Sequence, residues 1–376
     1  MYKRILEDTI KKKLFKGKAV IIMGARQTGK TTLSLEVIKS LKKKMRIFNC
    51  DNPTDRDLLS NRDLEFLKKL VNDAEVIFID EGQKVETLGQ TLKLLVDYYK
   101  KEKQIIVTGS SSFNILDKTE EPLTGRKFVF NLFPLSLEEI YEEKDLLKIL
   151  KEVELNLIYG NYPEVVDKKS LEEKQETIRE ISSSYLYKDI LEFQKIKSSA
   201  VLNDLLRALA LQIGSEISYR EIASIIGVDK KTVESYIDIL EKNFIIFRLH
   251  PYASNKRKII SKLKKVYFWD LGIRNAVINN FNLLNSRNDV GALWENFAIV
   301  ERLKYQAYHN IYANNYFWRT YGGAEVDLIE EREGKLFAYE FKWNDRKKAR
   351  KSSFLADHPN SLFNKITPKD VKGFIL

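Results

Sequence analysis

Gly24, Ala25, Arg26, Gln27, Thr28, Gly29, Lys30 and Thr31 fill the pattern GxxxxGK[ST] without a mismatch. The chemistry of such a run is phosphate binding: the glycines let backbone N–H groups turn inward, Lys30 reaches β and γ phosphates, and the Thr31 hydroxyl joins a Mg²⁺ shell. Thr32 continues the run, so Gly24, Arg26, Gln27, Thr28, Gly29, Lys30, Thr31 and Thr32 are the expected contacts of a bound ATP. A second set lies at the end of EVIFIDE, residues 75–81, where an apolar run closes in Asp80 and Glu81. A buried parallel strand delivers such groups at its C-terminal edge, where Asp80 would share Mg²⁺ with Thr31 and Glu81 would polarise an attacking water.

Particular elements must hold these groups in place. Residues 18–23 (KAVIIM) read as a strand, and Leu33, Val37, Ile38 and Leu41 recur at helical spacing behind the glycine-rich run. Further strands are expected at 45–50, 104–108 and 127–132, with a helix over 86–99. The alternation predicts an α/β domain: a parallel sheet between two helical layers. The strand QIIVT ends in GSSS, which brings Ser110 or Ser111 beside a γ phosphate as a polar sensor.

GARQTGKTT, DEGQ at 80–83, TGSSS at 108–112 and TGRKFVFNLFPLSLEE at 124–139 together resemble the prokaryotic AAA-type P-loop ATPases that carry a C-terminal domain of unknown function. The resemblance extends over the rest of the chain. It implies an ATPase that uses ATP and Mg²⁺, with Glu81 as its own catalytic base. Gly125, Arg126, Pro134, Leu135 and Ser136 match the last segment, and Arg126 becomes a candidate γ-phosphate or finger arginine. An arginine from a neighbouring copy would serve the same purpose, so a homo-oligomer is one expected partner.

The middle of the chain reads as helical, and SYREIASIIGVDKKTVESYIDILEKN offers a helix at 218–226, a turn at Gly227 and a second helix from Asp229. Residues 244–249 and 264–269 then read as wing strands joined by the basic loop 254–258. A winged helix of this kind would turn Lys230, Lys231, Thr232 and Ser235 to a DNA major groove, with Lys256, Arg257 and Lys258 on phosphates. The same pattern also suits a packing or protein-contact module.

Near the C-terminus a helix over 291–305, with Leu293, Phe297 and Val300 inward and Trp294 at its margin, carries Glu295. A hairpin follows, with Asp327 on its first strand and Glu340 and Lys342 on one face of its second. This set resembles the PD-(D/E)XK restriction-endonuclease-like fold, although Val326 stands where that motif has proline. The resemblance implies Mg²⁺ held by Asp327 and Glu340, completed by Glu295, with Lys342 offsetting developing charge. The basic run Lys342, Arg346, Lys347, Lys348, Arg350 and Lys351 lies beside it, as a phosphate-tracking surface for DNA or RNA would.

Composition narrows the classes. The 376 residues carry 64 Lys and Arg against 53 Asp and Glu, a net charge of +11, and 44% hydrophobic residues with 20 Phe and 18 Tyr are ample for packed cores. One cysteine excludes a disulfide framework, and three scattered histidines exclude a Cys/His zinc site. With no membrane span or signal peptide in the pattern, a cytoplasmic protein is expected. The charge is uneven: 28 basic against 23 acidic residues in 1–150, 17 against 17 in 151–260, and 19 against 13 in 261–376. The expected organisation is an ATPase domain over 1–145, a helical and winged-helix domain over 146–270 and a nuclease-like domain over 271–376. Two functions fit: an ATPase whose nucleotide state controls the nuclease-like domain on nucleic acid, or a regulatory switch that acts on a protein partner and keeps that domain inert.

Overall fold

Five short apolar runs pair in register to form a parallel sheet: β1 (Ala19–Met23), β2 (Met45–Asn49), β3 (Val76–Asp80), β4 (Gln104–Gly109) and β5 (Lys127–Asn131), in the order β2-β3-β4-β1-β5. Strands β1 and β4 are buried throughout because both of their faces are covered. Alternation sorts their side chains. Ala19, Ile21, Met23, Ile77, Ile79, Ile105 and Val107 face one core, shared with Leu59, Leu67, Leu88, Leu92 and Leu95 of the flanking helices. Val20 and Ile22 point to the opposite face by the two-residue period. The helices are α1 (Leu6–Lys13), α2 (Lys30–Ser40), α3 (Pro53–Ser60), α4 (Leu64–Val71) and α5 (Leu88–Tyr99). Helix α1 packs on α2, and α2 packs on β3 and β4.

The computed structural model describes residues 2–61, 63–110, 123–141, 146–185, 198–253, 263–320, 322–346 and 352–375. Ser111, the wing loop with Lys256, Arg257 and Lys258, and Lys347, Lys348, Arg350 and Lys351 of the basic run lie outside the described residues. The chain divides into two compact units, the first built from residues 1–133 and 242–244, the second from 134–241 and 245–376. No described helix is long and apolar enough to cross a membrane.

In the second unit α6 (Leu146–Tyr159), α7 (Leu171–Tyr185) and α8 (Ser199–Leu211) precede a helix–turn–helix, α9 (Tyr219–Ile226) and α10 (Lys230–Lys242). Ser218 caps α9 by accepting the Glu221 N–H, and Gly227 ends it at φ +72°. Asp229 caps the next helix, accepting the Thr232 N–H at 2.9 Å and its hydroxyl at 2.7 Å. Val233, Tyr236, Ile237 and Leu240 are buried.

Seven strands form the second sheet: β6 (Glu216–Ile217), β7 (Ile246–Pro251), β8 (Lys264–Phe268), β9 (Asn314–Arg319), β10 (Glu325–Arg332), β11 (Lys335–Phe341) and β12 (Leu362–Ile366), in the order β12-β11-β10-β9-β7-β8-β6. The two expected wing strands and the expected hairpin therefore share one sheet. The join is a short parallel pairing of His250 with Tyr316 and Pro251 with Phe317. The boundaries read from the sequence at 145/146 and 270/271 both fall within this unit. The β10–β11 turn is the two-residue kind that needs left-handed backbone, supplied by Glu333 (φ +52°) and Gly334 (φ +72°).

Between α11 (Leu271–Val277) and β9 runs α12 (Val290–Tyr308), whose Leu293, Trp294, Phe297 and Val300 are buried. Trp294 sits in the core and not at the margin, because its indole N–H finds the Ile366 carbonyl at 3.3 Å. Arg302 on the same helix forks onto the fully buried Glu330, Nε to Oε1 at 2.5 Å and Nη2 to Oε2 at 3.1 Å, and caps the Phe374 carbonyl at 2.7 Å. Removing one partner strands the other as an uncompensated buried charge. Glu330→Ala is expected to cost about 3–5 kcal/mol, read as a lowered urea midpoint with an unchanged slope.

Candidate functional site

Between β1 and α2 the chain has almost no freedom. A Cβ on Gly24 would lie 2.0 Å from the Leu132 carbonyl oxygen, so only glycine fits where the loop leaves the sheet. Gly29, at φ +91°, turns the chain into α2. Lys30 is buried, and its ammonium donates to the Gly24 carbonyl at 3.0 Å and the Ala25 carbonyl at 2.7 Å. Thr28 is buried as well, its hydroxyl on the Ala25 carbonyl at 2.9 Å. Arg26 is partly buried, and Gln27 and Thr32 are exposed.

Three strand ends converge beside the loop. The Thr31 hydroxyl donates to both oxygens of Asp80, at 2.9 and 3.0 Å, and the Thr108 hydroxyl at the end of β4 donates to the same carboxylate. Glu81 adopts the left-handed conformation at φ +54°, a costly choice for a residue with a Cβ. Its backbone N–H donates to Thr108 Oγ1 at 3.3 Å. Its carboxylate accepts from Gln83 Nε2, which also donates to Ser110 Oγ at 2.8 Å. Gln83 and Thr108, which lie within the DEGQ and TGSSS runs but were given no role there, are thus the parts that join Asp80, Glu81 and Ser110. Thr31 and Asp80 offer hard oxygen donors aimed at one point, which suits Mg²⁺ held by one carboxylate, a hydroxyl and phosphate oxygens.

Arg126 does not join this group within its own chain. It immediately precedes β5, which runs parallel to β1 with Ala19 opposite Lys127 and Met23 opposite Asn131. Arg126 therefore lies at the edge of the sheet opposite the phosphate loop. Its backbone carbonyl accepts from Ala19 N, and its guanidinium pairs with Asp97 at 2.5 Å on an exposed surface.

In the second unit, Glu295, Asp327, Glu340 and Lys342 gather with two residues that the motif reading missed. Lys265 and Tyr267 alternate on β8 and so share a face. The Lys265 ammonium, only 2% exposed, lies 3.0 Å from Glu295 Oε1 and also pairs with Glu325. The Tyr267 hydroxyl donates to the same Glu295 oxygen at 2.6 Å. Lys342 pairs with Glu340 at 2.8 Å, and Asp327 Oδ2 accepts the Phe341 N–H at 2.7 Å. Burial pulls against the charge on Lys265, but Glu295 and its other anionic neighbours hold its pKa well above the ordinary value. Burial first, and then Glu295, push the Asp327 carboxyl up to about 8 against the pull of Lys265 and Lys342.

This arrangement does not fit a carboxylate-held Mg²⁺. Lys265 already partners Glu295 and Glu325, Lys342 partners Glu340 and Asp327 takes a backbone N–H, and among the described residues no three His, Cys, Asp or Glu side chains gather to hold an ion.

Residues 16–141 match the family model of the AAA domain. With its parallel sheet and phosphate loop, the first unit carries an AAA-type P-loop ATPase domain. Residues 150–284 and 290–371 match two models described as domains of unknown function, DUF8612 and DUF4143. Over most of its length the chain is similar to an uncharacterized protein of Mycobacterium tuberculosis, 26% identical over 335 residues that make up 89% of this chain and 72% of that one. An uncharacterized protein of Methanocaldococcus jannaschii is 25% identical over 360 residues, 88% of this chain and 76% of that one. Among solved structures, the RuvB Holliday junction branch migration motor of Thermotoga maritima is similar at 13% identity and a TM-score of 0.35, with 66% of this chain and 90% of that one covered.

Two outcomes follow from the geometry. Arg126→Ala is expected to leave ATP affinity unchanged in a titration of the isolated monomer. A carboxyl whose folded pKa is raised favours the fold at low pH and loses that advantage as pH rises through the raised value. Wild type is therefore expected to lose stability relative to Asp327→Asn from about pH 4 upward to about pH 8, with urea midpoints converging in acid.

Proposed function

We propose that this chain is a Mg²⁺-dependent ATPase whose nucleotide state controls its C-terminal unit, and that this unit carries a nuclease-like fold that engages nucleic acid. The observation that carries the ATPase reading is the Thr31–Asp80 hydrogen-bonded pair with Glu81 held beside it in a left-handed turn.

In this reading the backbone N–H groups of the loop and the Lys30 ammonium bind the phosphates, Lys30 exchanging the Gly24 and Ala25 carbonyls for phosphate oxygens. Mg²⁺ held by Thr31 and Asp80 would supply positive charge to the phosphate oxygens. Glu81 orients the attacking water and accepts its proton. Gln83 fixes the Glu81 carboxylate and the Ser110 hydroxyl at once, so the base and the polar sensor keep their spacing. Lys30→Ala is expected to lose ATP binding. Glu81→Gln is expected to bind ATP and hydrolyse it at least about a hundredfold more slowly. Wild-type hydrolysis by Lys30→Ala would overturn the reading.

Nucleic-acid binding is supported by the basic excess of residues 261–376. The order helix, strand, helix, helix, strand, strand over 199–268 supports a winged helix, in which Lys230 and Lys231 are exposed while Thr232 is tied into the Asp229 cap. A second reading, a regulatory switch acting on a protein partner with an inert nuclease-like domain, is favoured by the ammonium of Lys265 between Glu295 and Glu325. Labelled single- and double-stranded DNA and RNA, incubated with Mg²⁺ or Mn²⁺ and ATP beside Glu340→Ala, separate the readings. Binding without cutting is expected. Cutting that Glu340→Ala abolishes would overturn the inert domain, and failure to bind any of the four would overturn the nucleic-acid reading.

A further inference from the structure

Arg4 belongs to none of the sequence motifs, yet its side chain is 5% exposed and aimed at the phosphate loop. Nη1 donates to the Thr28 carbonyl at 2.7 Å, and Nη2 donates to the Phe133 carbonyl at 2.8 Å. One guanidinium thus ties the back of the loop to the residue that ends the first unit. The front of the loop meets the same stretch: Gly24 lies against the Leu132 carbonyl, and the Leu132 N–H donates to Met23 at 2.6 Å. The loop is therefore fastened at both ends to Leu132 and Phe133, and the next residue is Pro134, where the second unit begins.

A bound phosphate would also change what holds the loop. Here the Lys30 ammonium sits on the Gly24 and Ala25 carbonyls, and a phosphate in the loop would draw it away. Release of the Gly24 carbonyl acts directly beside Leu132, and any turn of the Thr28 peptide acts on Phe133 through Arg4. Helix α1, which follows Arg4, packs on α2, so the strap is anchored to the same helix that the loop begins.

We propose that Arg4 is a positioning residue that passes the occupancy of the phosphate loop to the chain leaving the first unit. The proposal rests on the reading of that loop as an ATP site. Arginine is required because its planar fork aims two donors at two separate carbonyls, where a lysine presents a single point charge on a flexible stem.

All four tryptophans, Trp269, Trp294, Trp318 and Trp343, lie in the second unit, so their emission reports that unit alone while nucleotide binds to the first. The test uses the full chain with Mg²⁺ and a non-hydrolysable ATP analogue, with binding measured separately by a fluorescent ATP analogue and folding by thermal unfolding. Wild type is expected to bind the analogue and change its tryptophan emission at saturation. Arg4→Met is expected to bind about tenfold more weakly and to give no emission change at saturation. Arg4→Lys, which keeps the charge and protects the test if Arg4→Met fails to fold, is expected to lose the emission change too. A full wild-type change in either folded variant would overturn the proposal, as would a wild type that binds nucleotide with no change. A wild type that binds no nucleotide would overturn the ATP-site reading instead.

Discussion

Asp80 accepts hydrogen bonds from Thr31 and Thr108, and the site in the first unit is organised around that shared carboxylate. Strand β4 lies between β1 and β3, so a group at the end of β3 must reach across about 10 Å of sheet to meet the helix that follows β1. Asp80 meets Thr31 directly, and Thr108 supports the carboxylate from the strand in between. The same Thr108 hydroxyl receives the Glu81 N–H and so fixes the turn in which Glu81 sits. Loop, carboxylates and Ser110 share one hydrogen-bonded frame, and strain at Glu81 is tolerated because the frame holds it from both sides.

Much of this was legible before any coordinates. Continuous apolar runs ending in loop-forming or acidic residues located β1, β3 and β4, because strands buried on both faces need such runs, whereas the edge strands β2 and β5, largely exposed or half-buried, showed as mixed runs. The helix–turn–helix was legible from its caps, Ser218 and Asp229. Arg126 stands away from the site of its own chain, and the signal for that is in the sequence: in a parallel sheet, a residue just before one strand lies at the edge opposite a loop just after another. Lys265 and Tyr267 had a fainter signal, polar groups at alternate positions of an apolar strand. Arg4 had none, since its role depends on carbonyls of Thr28 and Phe133 that are far from it in sequence.

The carboxylates of the second unit illustrate a general electrostatic choice. Several acids brought together in a core need positive charge, which a bound ion or the chain's own lysines can provide. Here Lys265 meets Glu295 and Glu325, and Lys342 meets Glu340. These two lysines offset part of the negative charge that the carboxylates bring together. Asp327, with a backbone N–H as its hydrogen-bond donor and Glu295 nearby, is left as the group that most resists ionisation.

The two-residue pairing of β7 with β9 carries the second sheet from its three-stranded end into its four-stranded end. Pro251 has no N–H to give, and the Tyr252 N–H reaches the Phe317 carbonyl just beyond it. A chain cut between these strands would leave Asn314–Arg319, with Tyr316, Phe317 and Trp318 in a row, as a raw aromatic edge. Open edges of that kind pair with other copies. The short seam therefore also guards against aggregation, and separating the segments on either side of it would trade a closed surface for an adhesive one.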